Sequence, residues 1–87
     1  MATVKIYTTP TCPYCYRAKA HLSKKGVAYE EIDVWGDRDK RAWLQQVTGR
    51  STVPQIFING QPIGGCDDML SLDRAGRLDA LLAQPPA

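Results

Sequence analysis

Apolar and polar residues alternate at the start of the chain. In "TVKIYT" (3–8), Val4 and Ile6 fall on one side and Lys5 and Tyr7 on the other, the period of a strand. From Pro13, a residue tolerated in a helix's first turn, the pattern lengthens and predicts a helix to about Lys25, with Gly26 as its stop. "AYEEIDV" (28–34) reads as a second strand. "DRDKRAWLQQVTG" (37–49) has acids in its first turn, a Trp43–Leu44–Val47 stripe and Gly49 as a stop, the marks of a second helix. "QIFIN" and "GQPIG" form a predicted hairpin about Asn59–Gly60, a pair suited to a type I′ turn. "DDMLSLDRAGRLDALLA" (67–83) is the last helix, with Met69, Leu72, Leu78, Leu81 and Leu82 as its core stripe. Gly76 breaks it into two pieces, and "QPPA" is expected to fray. The order β-α-β-α-β-β-α defines an α/β chain. Its strand–helix–strand unit implies a parallel pair with a right-handed crossover. The hairpin adds an antiparallel pair, so a mixed four-stranded sheet with helices on both faces is expected.

Length and composition narrow the class without naming it. Eighty-seven residues suit a single domain over 1–87, with no internal linker, repeat or low-complexity segment. A net charge of +2 is too small to argue for nucleic acid or an anionic membrane surface. No apolar stretch approaches the ~18 residues that span a bilayer. The N-terminus lacks the basic and apolar regions of a secretion signal, so the cytoplasm is expected. The cytoplasm keeps thiols reduced and so does not suit a lasting disulfide, and three cysteines fit a disulfide framework poorly.

"CPYC" (12–15) carries the chemistry. Counting ~100° per residue, Cys15, Ala18 and Leu22 share one helix face while Arg17 points away. Cys15 therefore faces the core, and Cys12 sits at the open helix end. There, free backbone N–H groups and the helix dipole favour an anion, hence the thiolate. A stabilised thiolate is both an available nucleophile and a good leaving group, as thiol–disulfide exchange requires. A zinc site would need about four ligands, and neither a second C-x-x-C nor a suitably placed histidine supplies them. Redox chemistry is the favoured reading.

Three segments, "CPYC" at 12–15, "TVPQIFING" at 52–60 and "GGCDD" at 64–68, together resemble the glutaredoxins of the small dithiol type, in order and spacing, over nearly the whole chain. The resemblance implies a thioredoxin-like fold. It also implies an oxidoreductase that uses glutathione as co-substrate to reduce protein disulfides and protein–glutathione mixed disulfides, with no permanently bound cofactor. It makes Cys12 the nucleophile and Cys15 the resolving thiol, in electron transport to thiols and cell redox homeostasis. Pro54 matches the family's cis-proline, which would turn the Val53 N–H and C=O outward to pair with the tripeptide backbone. Thr52 and Val53 line that position, and Tyr14 flanks the bound tripeptide. The loop of Gly65, Cys66, Asp67 and Asp68 matches the one that holds the γ-glutamyl end, its N–H groups taking the α-carboxylate and an Asp side chain the amino group.

The chain departs from the family at two points. Many members carry Lys three residues before the first cysteine, and here that residue is Thr9. Some carry Arg before the T-V-P segment, where this chain has Ser51 with Arg50 one step earlier. Arg41, with Arg38 behind it, becomes the candidate for the glycyl carboxylate. A monomer acting on disulfide-bonded or glutathionylated proteins is expected. Two rivals remain beside this reading: a redoxin recharged by thioredoxin reductase, and a carrier of a glutathione-ligated [2Fe–2S] cluster. Cys66 is read as contributing its backbone, His21 as a solvated helix residue, Lys24 and Lys25 as surface, Trp43 as core or half-buried packing and Trp35 as a loop aromatic.

Overall fold

The structure, a computed structural model, describes residues 1–86, so Ala87 at the end of the expected tail lies outside the described residues. Strand β1 (Val4–Thr8) runs through the middle of the sheet. Along one edge it pairs in parallel with β2 (Glu30–Asp33), Lys5 facing Glu30 and Thr8 facing Asp33. Along the other it pairs antiparallel with β3 (Gln55–Ile58), which pairs in turn with β4 (Gln61–Gly64). Among the described residues the sheet has four strands in the order β2-β1-β3-β4. The β3–β4 turn is the expected one: Asn59 and Gly60 both take positive φ, 52° and 80°.

Four helices complete the described chain: α1 (Pro13–Lys24), α2 (Arg38–Thr48), α3 (Cys66–Arg74) and α4 (Arg77–Leu82). The last two are the pieces expected around Gly76, which takes a φ of 73°. Alternation in the strands sorts the helices onto two faces. Val4, Ile6, Ile56 and Ile58 face a core built with Ala18 and Leu22 of α1, Met69 of α3, and Leu78 and Leu82 of α4. Tyr7 and Phe57, one residue out of step, face the other way and pack with Val34 and with Leu44 of α2. Each large apolar side chain so buried contributes on the order of 1.5–3 kcal/mol.

The departures from the sequence reading are local. The second strand is shorter than 28–34, because its ladder runs only where Lys5 to Thr8 stand opposite. Beyond it, Val34 N–H still donates to Thr8 O (2.9 Å), and a turn through Gly36 leads into α2. Of the expected α2 stripe only Leu44 is buried. Trp43 and Val47 stay about half exposed, since a single helix covers this face and only its innermost side chain is enclosed. Trp43 stacks on Phe57, ring centroids 5.7 Å apart, and tilts against Tyr7. Leu72 and Leu81 are only partly buried beside their core. His21 is not simply solvated: its Nε2 lies 2.7 Å from Asp73 Oδ2. Lys25 is likewise tied, to Asp73 (2.9 Å) and Asp79 (2.7 Å). The flank of α1 that a helical wheel leaves outside the core faces α3 and α4 here.

Candidate active site

The end of β1 and the head of α1 put two sulfurs in unlike surroundings. Cys12 is the N-cap of α1, with extended backbone (φ −102°, ψ 112°), and its Sγ accepts a hydrogen bond from the Cys15 N–H at 3.3 Å. A sulfur thus fills the place that a Ser or Asp oxygen usually fills, satisfying one of the helix's orphan donors. As a thiol, Cys12 also donates to Val53 O at 3.6 Å. On ionisation it gives up that donor contact and keeps the N–H, which now faces a full negative charge.

Three residues on, Cys15 is 1% exposed and points into the sheet side of α1. Burial pushes its thiol up to about 12, with the neighbouring Cys12 sulfur adding to the effect. The cause is the cost of placing charge in an apolar interior. The two sulfurs thus differ in access and surroundings, Cys12 at the helix head beside the cleft and Cys15 enclosed and held as a thiol.

Beside Cys12 runs a cleft of about 340 Å³, lined by Tyr14, Arg50, Thr52, Val53, Pro54, Gly65, Cys66, Asp67 and Asp68. That volume lies within the ~300–1,000 Å³ usual for small-ligand sites. The Val53–Pro54 peptide is cis, as expected. Gln55, buried behind it, donates from Nε2 to Thr52 O (2.9 Å) and fixes the loop. The opposite wall is the start of α3. Gly65 N–H donates to Asp68 Oδ2 (2.9 Å), the return half of a capping box, and a Cβ on Gly65 would come within 3.2 Å of Pro54 O. A side chain there would press on the proline carbonyl, and glycine lets the wall sit this close. Asp68 is held below the usual carboxylate range, first by the Arg50 guanidinium 2.6 Å away and then by the Gly65 N–H. Cys66 is buried, and that burial raises its thiol, with Asp67 adding. Tyr14 is half exposed at the mouth, with the Arg17 guanidinium 5.5 Å over its ring. A larger cavity, about 740 Å³ by Tyr7 and Trp43, has no cysteine on its walls.

The fold therefore gathers Tyr14, Thr52, Val53, Pro54, Gly65, Cys66, Asp67 and Asp68 around one cleft next to Cys12 and Cys15. Arg41 is not on its wall. Its Nη2 donates to Ser51 O (3.1 Å), one residue before Thr52. Arg50, whose place the sequence reading noted without a role, lines the cleft instead. Its one sequence signal is its position just ahead of "STVP" in a chain whose "CDD" loop carries two acids.

A paired, asymmetric dithiol at a helix head, facing a cis-proline across a ligand-sized cleft, defines a thiol–disulfide oxidoreductase of thioredoxin-like fold. The comparisons narrow that class. The glutaredoxin family model matches residues 4–63. Glutaredoxin 3 of Escherichia coli is 57% identical over 82 residues, 94% of this chain and 99% of that protein. The solution structure of a Brucella melitensis glutaredoxin superposes with a TM-score of 0.84 at 51% identity, over 94% of this chain and 89% of that one. A buckwheat glutaredoxin–glutathione complex gives 0.86 at 34% identity, over 93% and 76%. The chain belongs to the glutaredoxin family, and with it to the glutathione-dependent thiol–disulfide oxidoreductases.

Proposed function

We propose that the cleft beside Cys12 holds the glutathione half of a mixed disulfide and that Cys12 and Cys15 divide the chemistry. The Cys12 thiolate attacks the glutathione sulfur, and the substrate protein's thiolate leaves. A second glutathione then attacks the Cys12–glutathione disulfide, giving oxidised glutathione and the free dithiol. On a protein disulfide, Cys12 forms the mixed disulfide with the protein. Cys15 then attacks Cys12, releases the reduced protein and leaves Cys12–Cys15 oxidised until two glutathiones reduce it. The observation that carries this reading is the Cys15 N–H directed at Cys12 Sγ at the head of α1, with the Cys15 sulfur itself buried.

In this reading the Val53 backbone beside Pro54 pairs with the tripeptide, Thr52 lines its path and Tyr14 covers it. The N–H groups at Cys66 and Asp67 take the α-carboxylate, Gly65 N–H being held by Asp68, and Asp68 takes the amino group. Arg41 is the candidate for the glycyl carboxylate, on the strength of its bond to Ser51 O next to Thr52. Residues 1–87 work as one domain and as a monomer in the cytoplasm, with no permanently bound cofactor. The partners are glutathione and disulfide-bonded or glutathionylated proteins, and neither nucleic acid nor membrane. The small net charge of +2 supports the last point.

Steady-state turnover with two substrates tests the division of labour. Cys15→Ser is expected to keep deglutathionylation and lose reduction of protein disulfides, and Cys12→Ser to lose both. Turnover by the Cys12→Ser protein would refute the assignment.

A further inference from the structure

Asp68 is the carboxylate to which the cleft's own charge is tied. Its Oδ2 lies 2.6 Å from Arg50 Nη1 and 2.9 Å from Gly65 N, so a guanidinium already occupies the acceptor that a ligand's ammonium would use. Both side chains line the cleft and remain 52% and 40% exposed, the kind of pair that is weak and readily screened by salt. Arg50 also borders a second cavity, about 210 Å³, with Thr48 and Gln55 on its wall. Gln55 is 1% exposed, and its Oε1 is buried with no hydrogen-bond partner among the described residues. A guanidinium leaving Asp68 thus has a second cavity to enter, one that it already borders together with Gln55.

Taking the cleft as the glutathione site proposed above, we infer that Arg50 is an internal competitor for the γ-glutamyl ammonium. It holds Asp68 in the empty cleft and yields it to the ligand, turning toward Gln55. Binding then exchanges one cation for another on the same carboxylate, so the Asp68 contact adds little net affinity. Return of Arg50 to Asp68 helps glutathione leave. Arg50 acts through Asp68 and is a positioning residue, not a catalytic one. A ligand-binding role for Arg50, such as holding a carboxylate of glutathione, has the opposite consequence when the guanidinium is removed.

The sign of one constant separates the two. KM is measured for a cysteine–glutathione mixed disulfide with the unaltered protein, Arg50→Gln, Asp68→Asn and the double variant. Arg50→Gln is expected to lower KM about two- to fivefold, the range set by exposed ion pairs. Asp68→Asn is expected to leave KM nearly level, since the contact it removes adds little net affinity, and adding Arg50→Gln to it changes nothing further. Between ~20 and ~200 mM salt, KM of the Arg50→Gln protein rises more steeply than that of the unaltered one, whose competitor is screened together with its ligand. A KM that rises or stays level in Arg50→Gln, or that falls equally in the Asp68→Asn background, overturns the inference while the cleft's role stands. Absence of glutathione-dependent turnover in the unaltered protein overturns both.

Discussion

The raised Cys15 thiol makes the closing step of the dithiol route a proton-limited reaction. The perturbation is pH, applied to a protein carrying 2-nitro-5-thiobenzoate in disulfide linkage to Cys12. Attack by Cys15 on Cys12 Sγ releases the coloured thiolate in a single turnover. The rate follows the fraction of Cys15 present as thiolate. Burial, the largest cause of a value of about 12, persists in the mixed disulfide, whereas the part due to the Cys12 thiol is lost. Cys15 therefore remains protonated well above neutrality. Closure should accelerate tenfold per pH unit, about a thousandfold between about pH 6 and about pH 9, with no plateau. An ordinary cysteine of ~8.5 would level off by about pH 9.5, bending visibly from about pH 8. Stopped-flow absorbance over that range decides the matter, with Cys15→Ser as the blank. A rate that bends away from the tenfold slope below about pH 9 would show that the buried sulfur ionises like an exposed one and would sink the asymmetry of the two thiols.

Three further outcomes test the frame that holds the site. A Cβ at Gly64 would overlap the Asp68 carboxylate, and Gly64 has a φ of +106°. Gly64→Ala should cost about 1–3 kcal/mol in urea unfolding and raise KM for glutathionylated substrate, and wild-type values for both would refute the packing. Leu22 is fully buried between α1 and the sheet, so Leu22→Ala should cost about 2–5 kcal/mol in the same titration, and a loss below ~1 kcal/mol would contradict a close-packed core. The carboxyl of Asp73 is held low, first by Lys25 and then by His21. A depressed carboxylate adds stability above its unfolded value and loses it as pH falls through its folded value. Asp73→Asn should therefore flatten the fall in thermal stability below about pH 4, and an unchanged acid limb would remove the tie from α1 to α3.

Much of this architecture is legible in the chain because local periodicity and tertiary burial agree in it. Val4 and Ile6 alternate with Lys5, Cys15–Ala18–Leu22 repeat at helical spacing, and Asn59–Gly60 allow the positive φ values that their turn requires. The site is legible where backbone does the work, since C-P-Y-C, T-V-P and G-G-C-D-D each fix a local shape. Long side chains that choose partners across space are not. His21 and Lys25 read as solvated surface in one dimension and Arg50 has no role there, yet each reaches an acid 18 to 54 residues away. Arg41 and Arg50 differ little as letters. Only the packing of α2 and the loop before β3 turns one toward Ser51 O and the other into the cleft.

The buried thiol also bears on which of the two routes an intermediate follows. Once Cys12 carries glutathione, Cys15 and a second glutathione compete for it. Against an ordinary thiol of ~8.5, the full value of about 12 would leave Cys15 with roughly 3,000-fold less thiolate, an upper bound once the Cys12 thiol is consumed. Its stronger nucleophilicity regains up to about 30-fold at a Brønsted slope of ~0.4–0.5, so the net handicap is at most about a hundredfold. Intramolecular attack is favoured by effective molarities far above cellular thiol concentrations when the sulfurs are aligned, so such a handicap trims closure without abolishing it. Near neutrality both thiols lie below their ionisation, both rates climb together, and the partition between the routes is flat in pH. Above about pH 9.5 glutathione is mostly ionised while Cys15 is not, and the balance must tip toward the Cys12–Cys15 disulfide. The buried face of α1 that Cys15 shares with Ala18 and Leu22 thereby slows closure onto Cys12 relative to an ordinary thiol in the same place.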